Sequence, residues 1–281
     1  MKIEFITLWV DDQIDFADSI KMQLEDWLEE KGFELTVLMH KNADKVLENI
    51  KCKDVELIII DYRLPGKNGD SLIEEIRQGG FYHDIIFYSE GALPEKRLDG
   101  VFFVSKQDAR TRIKELIEFK LKRSSDPISI RGWIVADSIE LEGMVTELLA
   151  QCFVEKESLT FSERLLGHDS PLEFAKKHTL LNGILKDLIK SLNAQGLQGE
   201  QRTIELKTCK DIFNDFVKEV IHIRNAIAHQ KVEDLGTGKI IKMRTTKITL
   251  NEVSFTKMRR DLRKHRDNLV TLQHLILSNQ V

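Results

Sequence analysis

The sequence predicts an α/β domain with a doubly wound, parallel, five-stranded sheet, followed by an all-α helical bundle that includes a small β-hairpin. Its 281 residues suffice for about two domains. Short apolar runs alternate with helical patterns up to about residue 122, and long amphipathic segments dominate after about Trp133. We therefore expect an α/β domain at residues 1–122, a linker at 123–132 and a helical domain at 133–281.

Short β-branched and aromatic runs in the first domain predict five strands, at Glu4–Val10, Glu34–Met39, Ile58–Ile60, Ile85–Tyr88 and Val101–Val104. Apolar residues at helical spacing predict helices at Phe16–Glu30, Asp44–Ile50, Ser71–Arg77 and Asp108–Lys122. Only sixteen residues separate Ser89 from Lys106. The helix before the last strand is therefore expected to be very short, at Pro94–Leu98.

Apolar residues three and four apart predict four long helices in the second domain, at Ile139–Phe153, Pro171–Asn193, Arg202–His229 and Asn251–Ser278. β-branched residues around a Thr-Thr pair predict a hairpin at Lys239–Leu250. The Ser-Ser-Asp-Pro stretch at 124–127 interrupts the pattern, as a linker does.

The composition is that of a soluble globular protein, with 42% hydrophobic and 31% charged residues. No apolar run approaches the roughly 20 residues that a membrane-spanning helix needs, so we expect a cytoplasmic protein without membrane contacts. The three cysteines, Cys52, Cys152 and Cys209, are odd in number and widely spaced. This pattern argues for reduced thiols and against a zinc site.

Reactive side chains follow four of the predicted strands. Asp11 and Asp12 follow the first, Asp61 the third, Ser89 the fourth and Lys106 the fifth. The carboxyl ends of parallel strands share one edge of the sheet, where ligands bind. Three carboxylates a few ångströms apart are unfavourable unless a cation lies among them, and hard oxygen ligands suit Mg²⁺. With a lysine and a hydroxyl nearby, the site is suited to phosphoryl transfer to a carboxylate.

Residues 3 to about 122 resemble the receiver domain of two-component response regulators, whose pattern is matched by Asp11-Asp12, the Asp61–Gly69 stretch, Ser89 and Lys106. The resemblance implies that Asp61 is the phosphoacceptor, loaded by a histidine kinase or a small phosphodonor. It also implies magnesium ligands at Asp12 directly, Asp11 through water, Asp61, and the carbonyl of Arg63. Phe103 matches the aromatic switch position, and Ser89 and Lys106 would report the added charge.

Each of these residues taken alone has a simpler explanation. An acid after a strand is more often a helix cap or a turn residue, and a lysine there is mostly solvated. The ordered set favours the phosphoacceptor interpretation. The very short fourth helix departs from the family pattern. Because the usual signalling and dimerisation face of the family includes that helix, we do not expect the usual output surface to be intact.

A second reactive stretch ends the third helix predicted in the second domain. Asn225 and His229 lie four residues apart on one helical face, and Arg224 can reach the same groove. A histidine that moves the proton of a 2′-hydroxyl and an arginine that holds the phosphate suffice to cleave RNA without metal. Alternatively, His229 interacts with the helix end and Arg224 forms an ordinary surface pair.

This stretch resembles the Arg-x4-6-His motif, often Arg-Asn-x-x-x-His, of HEPN domains, many of which are metal-independent RNA endonucleases. The resemblance implies that Arg224 and His229 are catalytic, that Asn225 supports them, that no cofactor is needed and that the site forms in a homodimer. Some members carry, two residues after the histidine, a tyrosine that a partner nucleotidyltransferase modifies. That position is Lys231 here, so this form of control is not expected.

A basic segment at Lys239–Arg266 holds ten lysines and arginines but only two acids, Glu252 and Asp261. This excess suggests a polyanion-binding face, for which we name Lys257, Arg260, Arg263 and Lys264 as candidate RNA contacts. The alternative is a solvated helix face near acidic neighbours. No helix-turn-helix or zinc-finger pattern is present, so sequence-specific DNA binding is not expected.

The sequence therefore predicts a response-regulator-type protein in which phosphorylation of Asp61 controls a metal-independent RNA endonuclease. The alternative is a phospho-switched module that binds RNA or a protein partner, or dimerises, without chemistry. A plain adaptor with a structural bundle is a third hypothesis, which predicts neither RNA cleavage nor salt-sensitive RNA binding.

Overall fold

The computed structural model describes residues 3–91, 98–123, 126–152, 172–236, 239–243 and 247–277. The chain divides into two compact units, Lys2–Asp126 and Pro127–Val281. Within the described ranges, no helix has both the length and the apolar character needed to cross a bilayer.

Strands and helices alternate in the N-terminal unit, in the order β1 (Glu4–Val10), α1 (Ile14–Glu30), β2 (Glu34–His40), α2 (Val46–Cys52), β3 (Leu57–Asp61), α3 (Gly69–Gln78), β4 (Ile85–Ser89), β5 (Val101–Ser105) and α4 (Ala109–Arg123). The five strands form one parallel sheet in the order β2-β1-β3-β4-β5. The predicted parallel α/β sheet is confirmed.

Alternation along each strand divides the core into two layers. Trp9, Ile59 and Tyr88 face the layer covered by α1 and α4. Ile60 and Phe87 face the opposite layer, covered by α2 and α3. All five residues of β3 and of β4 are buried, which explains why these strands are apolar throughout and end abruptly at a polar residue.

One predicted helix of this unit begins later than expected, and another falls largely outside the described residues. Helix α2 begins at Val46 rather than Asp44, because the preceding Lys45 has a left-handed backbone conformation (φ 60°). The Asp44 N–H instead donates to Asn42 Oδ1 at 3.0 Å, which forms a turn. The short helix predicted at Pro94–Leu98 falls largely on residues 92–97, outside the described ranges.

The C-terminal unit consists of α5 (Pro127–Cys152), α6 (Phe174–Ala194), α7 (Gln201–Asn214), a π-helical turn (Val217–Ile221), α8 (His222–His229), β6 (Val232–Asp234), β7 (Lys239–Lys242), β8 (Lys247–Thr249) and α9 (Glu252–Leu277). Helix α5 contacts α6, α8 and α9. The predicted ends at Phe153, Pro171 and Ser278 lie outside the described residues.

Helix α5 begins at Pro127, inside the stretch predicted as a linker at 123–132. Proline is well suited to the first position of a helix, where its missing N–H is not needed. Ile130 and Ile134 on the first turns are buried against Ile227 and Phe255. The Pro127 interpreted as a breaker is therefore a helix start.

A three-stranded antiparallel sheet takes the place of the predicted two-stranded hairpin. Strands β7 and β8 pair as predicted, with Ile241 opposite Ile248, while the hairpin centre at Thr245 and Thr246 is outside the described residues. Strand β6 adds a third strand, with Val232 opposite Ile241. The short run at Val232–Asp234 was too brief to be recognised from periodicity.

The helix predicted at Arg202–His229 is interrupted, because the π-helical turn separates α7 from α8. The N–H groups of Lys218 and Glu219 both donate to the carbonyl of Asp215, at 3.1 and 3.0 Å. One extra residue in a turn rotates everything after it by about 100° relative to an uninterrupted α-helix. Val220 and Ile221, in this turn, are both buried.

Replacing Gly69 with alanine is expected to destabilise the N-terminal unit by about 1–3 kcal/mol, through overpacking. A Cβ at this position would lie 2.6 Å from Phe87 Cε2 and 2.9 Å from Ile60 Cγ2, and it would also meet the carbonyl oxygen of Asp61. Urea denaturation followed by circular dichroism measures the change.

The matched control is Gly143→Ala in α5, where a Cβ would meet nothing within 4 Å. Helix propensity should make this variant more stable than the wild type, by up to about 1 kcal/mol. A Gly69→Ala variant that unfolds at the wild-type urea concentration would contradict the tight packing described above.

Candidate functional site

Three carboxylates meet at the carboxyl edge of the parallel sheet. Asp11 and Asp12 follow β1, and Asp61 is the last residue of β3. One carboxylate oxygen from each lies within 4.8 Å of the other two. Asp11 and Asp61 are buried, whereas Asp12 is exposed. The prediction that these acids converge is therefore supported by their placement.

The order of strands brings these acids together. Strands β1 and β3 are adjacent, and Val10 pairs with Ile60, so the residues that follow them lie side by side. The chain leaves β1 toward β2 and returns to β3 on the other side. Asp11 and Asp61 therefore flank the switch point of the sheet, where open α/β sheets bind ligands.

Burial is the main influence on Asp61 and raises its pKa to about 6, with a further increase from the charge of Asp11. The positive charge of Lys106 and the backbone N–H groups of Arg63 and Tyr62 oppose this increase. The described residues thus compensate these negative charges only in part. A small divalent cation fits this cluster, because it would supply the missing positive charge to hard oxygen ligands.

Asp11 is held by hydrogen bonds on both oxygens. The N–H of Gln13 donates to Oδ1 at 2.8 Å, and the hydroxyl of Tyr88 donates to Oδ2. The indole N–H of Trp9 in turn donates to the Tyr88 hydroxyl at 3.0 Å. Tyr88 did not stand out in the sequence, since only the strand order places it beside Asp11. Gln13 and Trp9 are each two residues from Asp11, but nothing in the sequence marked them as partners of the site.

Lys106 lies next to the carboxylates but is bound by other groups. Its Nζ donates to Gln13 Oε1 at 2.9 Å, lies 3.7 Å from Glu90 Oε1 and sits over the ring of Phe16 at 4.7 Å. Among the described residues, no ion pair joins Lys106 to Asp61. The lysine therefore influences Asp61 through its charge rather than through contact.

Ser89 and Phe103 occupy the neighbouring strands β4 and β5. Ser89 is buried, and its Oγ accepts a hydrogen bond from the Gly91 N–H at 3.1 Å. Phe103 is half-buried and packs edge-to-face on Phe87, with 5.6 Å between ring centroids. Arg63 is exposed beyond β3, and its backbone N–H points to the Asp61 carboxylate.

The second predicted site lies on the short helix α8. Arg224 Nη1 donates to Asn225 Oδ1 at 2.9 Å, which orients the guanidinium. Asn225 and His229 are exposed, and Arg224 is half-buried. In the described part of the chain, no hydrogen bond joins Arg224 to His229. The three side chains are accessible on one helix, but a single chain does not bring the arginine and the histidine into contact.

The basic residues of α9 are largely paired with acids. Lys257 lies 2.5 Å from Asp261, Arg263 lies 3.9 Å from Asp267, and Lys264 binds Glu219. Arg260, the fourth candidate RNA contact, is exposed. Glu219 and Asp267 lie outside the segment whose charges were counted, so the excess of positive charge on this face is smaller than predicted. Exposed ion pairs are weak, however, and can exchange partners.

Because Asp61 has a raised pKa, replacing it with asparagine should change how stability depends on pH. The folded state binds the Asp61 proton more tightly than the unfolded chain does, so this stabilisation is present near pH 4 and lost as the pH rises through about 6. In EDTA, the stability of Asp61→Asn relative to the wild type should rise by about 2 kcal/mol between pH 4 and pH 7.5.

Urea denaturation across this range checks the difference. Asp26→Asn, which changes an exposed acid on α1, serves as the control and should track the wild type. A constant difference between Asp61→Asn and the wild type at all pH values would mean that Asp61 does not titrate abnormally.

Comparison with known proteins gives a family match for the N-terminal unit. Residues 7–118 match the family model described as response regulator receiver domain. A protein of Haloferax volcanii named "Putative transcriptional regulator" is 25% identical over 141 residues, which are 49% of this chain and 23% of that protein. The chain thus spans about a quarter of the length of this curated relative.

Similar solved structures include a response regulator receiver domain protein (CheY-like) from Methanospirillum hungatei, 22% identical, which covers 42% of this chain and 98% of its own, with a TM-score of 0.33. The receiver domain of RcsB from Escherichia coli is 19% identical. The match covers 42% of this chain and 94% of the RcsB chain, with a TM-score of 0.34.

The family match extends from β1 into α4 and includes Asp11, Asp12, Asp61, Ser89 and Lys106. The C-terminal unit lies outside the matched residues. The N-terminal unit of this chain is a response regulator receiver domain.

Proposed function

We propose that this protein is a phosphorylation-controlled regulator in which Asp61 accepts a phosphoryl group from a histidine kinase or a small phosphodonor. The observation that carries the proposal is the cluster of Asp11, Asp12 and Asp61, whose carboxylate oxygens lie within 4.8 Å of one another. Lys106 and Ser89 lie on the neighbouring strand ends.

The reaction is a displacement at phosphorus. An oxygen of the Asp61 carboxylate attacks the phosphorus, the bond from phosphorus to the donor breaks, and the donor leaves with the electron pair. The product is an acyl phosphate on Asp61. Because only the ionised carboxylate is nucleophilic, a pKa of about 6 leaves Asp61 largely reactive at neutral pH.

The chain's own residues would bind and orient the phosphoryl group. Mg²⁺, held by Asp12 and Asp61 with Asp11 and the carbonyl of Arg63, would supply positive charge to the phosphoryl oxygens. Lys106 would exchange Gln13 for a phosphoryl oxygen, since a phosphate is the stronger acceptor. The Ser89 hydroxyl would donate to another oxygen. These movements would change the packing next to Phe103 and so report phosphorylation.

Replacing Asp61 with asparagine should reduce acyl-phosphate labelling to background, because the amide oxygen is a poor nucleophile. The full chain is incubated with Mg²⁺ and a radiolabelled small phosphodonor, and the label is tested for release by hydroxylamine. Asp26→Asn should label like the wild type. Hydroxylamine-sensitive label that persists in Asp61→Asn would place the acceptor elsewhere.

For the C-terminal unit, we propose a metal-independent RNA endonuclease activity of HEPN type that involves Arg224 and His229. His229 would take the proton of a 2′-hydroxyl, the 2′-oxygen would attack the adjacent phosphorus, and the 5′-oxygen would leave. Arg224 would stabilise the charge that develops on the phosphate. The support for this activity is that Asn225 and His229 are exposed on α8 and that Asn225 orients the Arg224 guanidinium.

A homodimer is part of this proposal, because one chain does not bring Arg224 to His229. Two copies meeting at α8 would place the arginine of one beside the histidine of the other. Phosphorylation of the receiver domain would then control activity by changing how the copies meet.

A non-catalytic module for RNA or protein binding, or for dimerisation, is the alternative. Within this alternative, the intramolecular ion pairs of Lys257, Arg263 and Lys264 favour protein binding or dimerisation over RNA binding. These pairs lower the local positive charge on which fast capture of a polyanion depends.

The variants Arg224→Ala and His229→Ala should each reduce RNA cleavage at least about 100-fold while leaving the fold intact. Purified protein is treated with a phosphodonor or left untreated, and Mg²⁺ is then removed from both samples with EDTA. Each sample is incubated with RNA. Products are then analysed for 2′,3′-cyclic phosphate and 5′-hydroxyl ends.

His274→Ala, which changes an exposed histidine on α9, is the control and should cleave like the wild type. Cleavage at the wild-type rate by either α8 variant would refute the catalytic assignment. Salt-sensitive RNA binding without cleavage by the wild type would favour the binding module instead.

A further inference from the structure

Tyr88 reaches across the sheet to the carboxylates. Its register partner on the adjacent strand β3 is Asp61, and Asp11 follows β1 on the far side of β3. Strand alternation directs Trp9 and Tyr88 into the same layer of the core. The long phenol side chain therefore spans the width of β3, and its hydroxyl meets Asp11 Oδ2.

The direction of each hydrogen bond at this hydroxyl is fixed by chemistry. The indole N–H of Trp9 is a donor only, so Tyr88 must accept from it. The single proton of the phenol is then left for Asp11, whose ionised carboxylate is an acceptor only. Trp9, Tyr88 and Asp11 are each at most 1% exposed, so water does not compete for these bonds.

These bonds determine how Asp11 is oriented. From the residues that the structure describes, each of its oxygens accepts one hydrogen bond, Oδ1 from the Gln13 N–H and Oδ2 from Tyr88. A carboxylate has about four acceptor sites, so each oxygen has one site left. Rotation of the carboxylate would break both bonds and is therefore unfavourable. The remaining acceptor sites of Asp11 consequently point in fixed directions.

We propose that Tyr88 is a positioning residue of the phosphoacceptor site, which holds the Asp11 carboxylate in the orientation needed to bind a divalent cation together with Asp12 and Asp61. The inference rests on the proposed phosphoryl transfer to Asp61. The role belongs to Tyr88, which lies outside the acidic cluster. Tyr88 acts through the hydrogen bond that its hydroxyl donates to the Asp11 carboxylate, a ligand of the cation.

The variant Tyr88→Phe tests this role, because it removes the hydroxyl and retains the ring that packs on Phe16, with 5.5 Å between centroids. Loss of a partner that orients a metal ligand typically weakens metal affinity about 10–100-fold. We expect the Mg²⁺ dissociation constant of the full chain, measured by calorimetry, to rise by this factor. The Mg²⁺ concentration for half-maximal labelling of Asp61 should rise by the same factor, with the rate at saturating Mg²⁺ nearly unchanged.

Two further variants separate positioning from stability. In Tyr88→Phe the buried Trp9 N–H loses its acceptor, which should lower the melting temperature. The double variant Trp9→Phe/Tyr88→Phe removes the orphaned indole N–H as well and should still bind Mg²⁺ weakly. Tyr82→Phe, which changes a tyrosine that is 79% exposed, should bind Mg²⁺ like the wild type.

The outcomes distinguish this role from the proposed function itself. If the wild type binds Mg²⁺ and Tyr88→Phe binds it equally well, Tyr88 has no positioning role, and the phosphoacceptor proposal stands. Mg²⁺ affinity that returns to the wild-type value in the double variant would refute the role as well, because the effect would then come from the orphaned indole. If the wild type binds no Mg²⁺, both proposals fail.

Discussion

The mutual repulsion of Asp11, Asp12 and Asp61 is the constraint on which the rest of this site depends. The fold holds the three carboxylates within 4.8 Å of one another although burial and the charge of Asp11 raise the pKa of Asp61 to about 6. Such an arrangement is maintained against its own electrostatics by packing of the strands that carry it. Positive charge at this position would relieve the repulsion, which explains why the site is suited to a cation.

Local sequence patterns predicted most of the receiver domain, because fully buried strands that end in polar residues have a distinctive appearance. The rule that parallel strands end at one edge placed Asp11, Asp61, Ser89 and Lys106 together without knowledge of the strand order. The hydrogen bonds from Tyr88 to Asp11 and from Lys106 to Gln13 could not be predicted in this way. They depend on which strands are adjacent and on the reach of individual side chains, neither of which appears in local periodicity.

The C-terminal unit was predicted less accurately, and the reasons are physical. A π-helical turn preserves the apolar spacing on either side, so the interruption before α8 left no clear signal in the sequence. The acids that pair with the basic residues of α9 include Glu219, 45 residues away from Lys264. Counting charges within one segment therefore overestimated its positive field, because tertiary structure brought compensating charges from elsewhere.

The chain of hydrogen bonds from Trp9 through Tyr88 to Asp11 also gives the protein an optical reporter. The indole ring is separated from the carboxylate cluster by a single phenol hydroxyl, at 3.0 Å from its own N–H. Any change of charge among the acids alters the electric field at the ring and the strength of the bond that its N–H donates. The fluorescence of Trp9 should therefore respond to the occupancy of the site. In a chain whose other two tryptophans, Trp27 and Trp133, are replaced by phenylalanine, events at the site could be followed in real time without an attached dye.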